Sequence, residues 1–139
     1  MIEVPNGELY LGQIVDPASH ERTDENVFYE SGNFTTHGVI VGMTGSGKTG
    51  LSMILLEEAL LQGIPTLIID PKGDMGNLLL QFPDFAPGDF APWIDAAEAE
   101  RDGTTVDEVA AATADLWKNG LAKSGIEGPR LAELRDGAA

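Results

Sequence analysis

The sequence predicts an α/β fold of parallel strands with flanking helices, preceded by a short β-rich lead-in and followed by a helical part. Three observations predict it. Val39-Ile40-Val41 is a β-branched run of the kind that forms a strand buried on both faces. A glycine-rich stretch, Gly42 to Gly47, leads from it towards LSMILLEEALLQ, Leu51 to Gln62, a run of good helix formers that is apolar around most of its circumference. Thr66 to Ile69 then reads as a second buried strand ending at Asp70. Strand, loop, helix and strand make one βαβ unit with a parallel pair, though not necessarily of adjacent strands.

The other elements follow in order. Residues 1–36 form the β-rich lead-in: Leu9 to Val15 (LYLGQIV) and Asn26 to Tyr29 (NVFY) read as short strands, separated by a polar loop from Asp16 to Glu25. Residues 37–82 hold the βαβ unit, whose helix stops at Gly63, with Pro65 reinforcing the stop. Asp74 is placed to cap a short helix running to Leu80. Residues 83–139 are acidic and mainly helical, and Pro83, Pro87 and Pro92 mark an irregular opening. Thr105-Val106-Asp107-Glu108 is a capping box that opens a helix to about Lys123. Val106, Val109, Thr113, Leu116 and Gly120 recur along it at helical spacing, with Trp117 and Leu121 widening the stripe. A last short helix spans Pro129 to Arg135.

With 139 residues the chain has the length of one ordinary domain, and its apolar content of 42% is enough for a core. Eight basic against 23 acidic residues give a net charge of −15. Affinity for nucleic acid depends on Lys and Arg neutralising phosphates, so this chain by itself is expected to bind DNA or RNA poorly. The absence of cysteine excludes disulfides and thiolate metal sites. Apolar runs are far shorter than a membrane span, and MIEVPNGELY lacks the regions of a signal peptide. A cytoplasmic location is the natural expectation.

Gly42-x4-Gly47-Lys48-Thr49 fits G-x-x-x-x-G-K-[ST] at every position. Glycines permit positive φ angles and close approach of the backbone to a ligand. Successive N–H groups then form a nest for anionic oxygens, and the helix beginning near Lys48 points its positive end at the same place. The residues placed around a triphosphate are Gly42, Met43, Thr44, Gly45, Ser46, Gly47, Lys48, Thr49 and Gly50. The Lys48 ammonium is expected to reach the β- and γ-phosphates as the catalytic cation, and the Thr49 hydroxyl to ligate Mg²⁺. ATP with Mg²⁺ is the expected ligand; the lack of an N-K-x-D motif disfavours GTP.

Asp70 closes an apolar strand, where a carboxylate sits at the ligand-binding edge of a parallel sheet. It is therefore a candidate magnesium ligand. Pro71 and Lys72 follow it, with no adjacent Glu to polarise water, and the plainer reading is a carboxylate that caps its loop or meets the metal only indirectly, with Lys72 or Asp74 holding the loop. His20 and His37 read as structural or solvated, Trp93 and Trp117 as packing residues rather than base-stacking platforms, and the acidic segment 84–115 as a solvated face.

GMTGSGKTGL, followed by LIIDPKGDMGNLL, resembles the HerA–FtsK group of P-loop ATPases, with THGVIVGMTGSGKT and IPTLIIDPKGDMGNLLLQFP more specific than the phosphate loop alone. The likeness extends over most of the chain, including PWIDAAEAE and LWKNGLAKSGI. It implies a RecA-like core, hexameric rings and ATP hydrolysis coupled to DNA movement, with DNA met through the parent protein rather than through this acidic segment. By position Gly42 to Thr49 is the phosphate loop, and Asp70 to Asp74 matches the second core strand and its loop, not Walker B. That group carries an Asp-Glu Walker B strand, a polar sensor and an arginine finger further along, and other strands between the two seen here. No such strand follows residue 74, so the sequence is expected to be the N-terminal portion of a longer ATPase that binds nucleotide but hydrolyses it poorly alone. A non-catalytic, nucleotide-dependent assembly module and a small-molecule P-loop kinase are the alternatives.

Overall fold

The computed structural model describes residues 2–137. The chain divides into two compact units, one of Ile2–Leu80 with the segment from Glu133, the other of Gln81–Ala132.

In the first unit, β1 (Glu8–Val15) and β2 (Arg22–Glu30) pair antiparallel, with Leu9 opposite Tyr29 and Tyr10 opposite Phe28. Gly12, at φ 140°, sits at a register shift, a bulge of the kind glycine accommodates. The Asp16 carboxyl accepts the N–H groups of Ala18 and Ser19, each at 2.8 Å, and folds the connection back. Thr23 Oγ1 donates to Ile14 O at 3.0 Å, so the ladder starts at Arg22 and the loop is shorter than its polarity suggests. A two-stranded ribbon leaves one face in water, and polar side chains there do not end a strand.

Helix α1 (Lys48–Leu61) packs against β1 and against a 3-10 turn at Met75–Leu79. It ends in a Schellman arrangement: Ile64 N–H reaches Ala59 O at 2.8 Å and Gly63 N–H reaches Leu60 O at 2.9 Å, with Gly63 at φ 67°. Leu9, Tyr10 and Leu78 are buried, and so is Glu58, the one charged-type side chain in the core among the described residues. Its Oε2 accepts the Tyr10 N–H at 2.9 Å, so the helix carries an acceptor for a buried backbone donor of β1.

The two parallel strands expected at Val39–Val41 and Thr66–Ile69 are not present as strands. The β1–β2 hairpin is the sheet among the described residues, and Val39, Val41, Leu67 and Ile69 stand more than four-fifths exposed. A strand exists through its ladder, and among the described residues neither segment has a hydrogen-bonded neighbour to complete one. An apolar cleft of about 480 Å³, lined by Leu9, Phe34, Ile40, Leu55, Leu56 and Ile64 among others, opens in this unit.

The second unit is built on α4 (Val106–Ala122), against which pack the single turn α2 (Pro87–Phe90), a 3-10 turn at Ala91–Trp93 and α3 (Ala96–Arg101). Phe90, Ala110 and Ala114 form its core, with Phe82, Phe85, Ala91 and Ile94 around them. The alanines let the aromatic layer approach, and Phe82 meets Phe90 edge-on at 4.8 Å. The buried stripe of α4 is thus centred on Ala110 and Ala114. Leu116 and Trp117, expected within it, are 71% and 53% exposed, and Trp93 is also largely exposed, so neither tryptophan packs as its type suggests. Helix α3, in the segment expected to be irregular, is capped by Asp95, whose Oδ1 accepts Ala97 N–H at 2.9 Å and Glu98 N–H at 3.3 Å. Helix α5 (Gly128–Gly137) begins where a methyl on Gly128 would lie 2.6 Å from Pro83 O, a position open only to glycine.

The capping box forms as its sequence indicates: Glu108 N–H donates to Thr105 Oγ1 at 3.3 Å and Thr105 N–H to Glu108 Oε2 at 2.9 Å. Thr105→Ala should lower stability by about 1 kcal/mol, read as a lower urea midpoint with unchanged slope. The Thr105 N–H, then the Thr105 and Thr104 hydroxyls, hold the Glu108 carboxyl below its ordinary pKa. That contribution is complete above the ordinary carboxylate range and is lost as pH falls through the depressed value. Glu108→Gln, which keeps an acceptor but does not titrate, should flatten this acid-side loss when helicity is followed by circular dichroism.

Candidate functional site

The glycine-rich segment lies wholly in the first unit. Ser46 N–H closes a turn on Met43 O at 3.2 Å, with Gly45 at φ 80°. Gly47, at φ 86° and ψ 12°, is the left-handed residue from which α1 starts, and Leu51 N–H returns to its carbonyl at 2.9 Å. A β-carbon at either glycine would meet left-handed strain. Gly42 contributes differently: a methyl there would run into Ser46 Oγ and stand 3.2 Å from Ser46 Cβ, so Ser46 would have to shift. The three glycines of the motif therefore fold the chain tightly onto the first turn of α1.

Lys48 and Thr49 occupy that turn, both partly exposed. Lys48 Nζ reaches back over the loop and donates to Met43 O at 2.6 Å. Ser52 Oγ donates to Lys48 O at 3.0 Å, which steadies the turn from the next one along. The open side is a concavity of about 530 Å³ lined by Thr44, Gly45, Gly47, Lys48, Thr49, Gly50 and Lys72. That volume lies within the usual range for small-molecule sites. Of the residues expected around phosphates, Thr44, Gly45, Gly47, Lys48, Thr49 and Gly50 come together on it. Gly42, Met43 and Ser46 build the turn behind, and the Met43 side chain stands 84% exposed. What this arrangement offers an anion is the positive end of a 14-residue helix, a turn of backbone amides and an ammonium group.

Asp70 is placed differently. Its Oδ1 accepts Lys72 N–H at 3.2 Å and Gly73 N–H at 2.9 Å, and its Oδ2 accepts Met75 N–H at 2.8 Å. These donors, Met75 first, hold the Asp70 carboxyl below its ordinary pKa. Both oxygens thus serve the backbone of the loop 70–75. Asp74 is the N-cap residue of the 3-10 turn, but its side chain makes no cap bond and pairs with Lys72 instead. His37 and His20 are exposed, and His20, at φ 59°, belongs to the hairpin loop.

Two placements have no local sequence signal of the usual kind. Lys72 lines the same concavity as the glycine-rich loop, which no local spacing could indicate. Glu58 looks like any exposed acid on a helix; the sign available was an acid embedded in LLEEALL, an otherwise apolar helix.

A glycine-rich turn feeding a helix that carries Lys48 and Thr49 at its start is the build of a P-loop protein. The comparisons define the class further. The family model for the central domain of helicase HerA matches residues 22–115, more than half the chain, and the chain belongs to that family of P-loop ATPases, of HerA/FtsK type. A 53-residue stretch is 40% identical to the type 4 coupling protein DotL of Legionella pneumophila subsp. pneumophila, covering 38% of this chain. The match spans only 7% of DotL's length. No solved structure matches. Among the described residues no helix is long and apolar enough to cross a membrane.

Proposed function

We propose that the chain binds ATP with Mg²⁺ in the Gly42–Thr49 loop, as the nucleotide-binding segment of an ATPase whose whole protein is a ring-forming DNA translocase or helicase. The observation that carries this reading is the Lys48 ammonium lying over a left-handed glycine turn at the N-terminus of α1. The Met43 carbonyl holds the ammonium where phosphate oxygens would replace it. Thr49, one position further on, is the proposed Mg²⁺ ligand, and Lys48 the catalytic cation. Phosphoryl transfer to water depends on positioning and charge neutralisation, and the translocase reading assigns part of both to other regions of the parent. Family membership and the DotL likeness support an ATPase of this kind. In this reading Val39–Val41 and Thr66–Ile69 become strands of a RecA-like parallel sheet in the whole protein.

Calorimetric titration with ATP, with and without Mg²⁺, tests the proposal. Saturable binding that Mg²⁺ tightens is expected, and Thr49→Ala should abolish the effect of Mg²⁺ while retaining metal-free binding. Thr49→Ala with an unchanged Mg²⁺ effect contradicts the assignment of Thr49.

The exposed apolar side chains of Val39, Val41, Leu67 and Ile69 favour a second reading, a nucleotide-dependent assembly module without turnover. Oligomer size and phosphate release, measured with and without ATP, separate the two. A ring that releases phosphate supports the ATPase reading, and nucleotide-driven assembly without release supports the module.

A further inference from the structure

Lys72 and Lys48 stand far apart in sequence, yet both line the concavity at the start of α1. The chain has eight basic residues against 23 acidic ones, so two ammonium groups on one small hollow run against its overall charge. No carboxylate lines that hollow among the described residues.

The backbone beneath Lys72 is fixed. Asp70 grips the N–H groups of Lys72, Gly73 and Met75, and Gly73 turns the chain at φ 79°. The side chain above is not fixed in the same way. Its ammonium pairs with Asp74, but the Lys72 side chain is 77% exposed, and an ion pair open to water is weak and readily exchanged. The loop is thus hydrogen-bonded at its base and carries a long flexible cation at its rim.

We propose that Lys72 is a second phosphate-binding residue of this site, directed to the terminal phosphate of a nucleoside triphosphate and held by Asp74 when no nucleotide is bound. This rests on the phosphate-loop reading above. Loop amides and Lys48 reach the phosphates from the helix end, and Lys72 approaches the terminal phosphate from a separate loop on the same concavity. A terminal phosphate brings an anion that outcompetes the single, partly buried Asp74 carboxylate, because it carries more charge and more acceptor oxygens. Lys72 would then make the site distinguish a triphosphate from a diphosphate, and transfer of Lys72 from Asp74 to nucleotide would report that state to the loop.

The test is the affinity of the 139-residue chain for Mg·ATP and Mg·ADP at one fixed ionic strength. Lys72→Ala should weaken ATP binding about tenfold and ADP binding by less than about twofold, as expected for one charge-assisted contact. Lys72→Arg should restore the preference for ATP, which loss of a merely structural side chain would not explain. Asp74→Asn should tighten ATP several-fold, as expected where the competing partner is removed, and leave ADP unchanged. Lys48→Ala serves as the reference and should weaken both nucleotides. If Lys48→Ala weakens both while Lys72→Ala weakens neither, or weakens them equally, the role of Lys72 is wrong and the phosphate loop stands. If Lys48→Ala binds both like the unaltered chain, the phosphate-loop reading fails and the role of Lys72 fails with it.

Discussion

Lys48→Ala should weaken Mg·ATP binding by about a hundredfold, with little change in thermal stability. Hydrogen bonds to charged groups contribute about 1.5–3 kcal/mol each, and a phosphate held between backbone amides and one ammonium relies on that ammonium more than on any single amide. In the free chain Lys48 Nζ spends its contact on Met43 O, an exposed interaction within the same loop, so removing it costs the fold little. The turn itself is held by Gly42, Gly45, Gly47 and the Ser46–Met43 bond, none of which needs the lysine. Lys48→Arg is expected to be nearly as damaging. A planar guanidinium is bulkier and forks its donors, and it cannot fold back over so tight a loop. Titration with a fluorescent ATP analogue, alongside a melting curve for each variant, measures both halves of the expectation.

Glu58→Ala should be the most damaging change to the first unit, lowering stability by about 2–4 kcal/mol. Three costs add. The Tyr10 N–H, buried against α1, loses its acceptor at 2.9 Å, and an unmet buried donor costs about 1–3 kcal/mol. The buried side chain also leaves a space behind, whose lining loses its dispersion contacts. The link between β1 and α1, the helix that carries Lys48 and Thr49, is loosened as well. Glu58→Gln retains an acceptor oxygen and the volume, and should cost clearly less. Urea unfolding of the two variants decides the matter: equal losses for Gln and Ala would show that the hydrogen bond to Tyr10 is not what matters. The neighbouring Glu57→Ala, on a less buried position of the same helix, provides the comparison.

What could be read from sequence was what local physics determines. The capping box at Thr105–Glu108 needs only four consecutive residues and formed as expected. The hairpin strands, the C-terminal stop of α1 at Gly63 and the glycine turn at 42–47 are equally local. Helix α3 carries the same kind of signal, Asp95 three residues before Glu98, set among three prolines and a dense run of acids that by themselves indicate irregular chain. The stripe of α4 is nearly in phase with its large apolar residues, but Leu116 and Trp117 fall outside it because Phe90 packs on the small Ala110 and Ala114.

Non-local properties were not legible. Val39–Val41 and Thr66–Ile69 have the composition of central strands, but composition describes an environment and not a ladder. Without hydrogen-bonded neighbours among the described residues, Val39, Val41, Leu67 and Ile69 remain exposed. Lys72 meets the glycine-rich loop because the turn gripped by Asp70 brings it there, and nothing in D-P-K-G-D shows which way that turn faces. Likewise, one of two adjacent acids in α1 is buried, and only the position of β1 decides that it is Glu58.

The most direct measurement is the backbone amide spectrum of the isotope-labelled chain during titration with Mg·ATP and, separately, with adenosine. A triphosphate seated on the loop should shift the Gly45, Gly47, Lys48 and Thr49 resonances strongly and saturably with ATP, and leave them in place with adenosine. Those four amides unmoved at saturating ATP, or moved equally by adenosine, would contradict it.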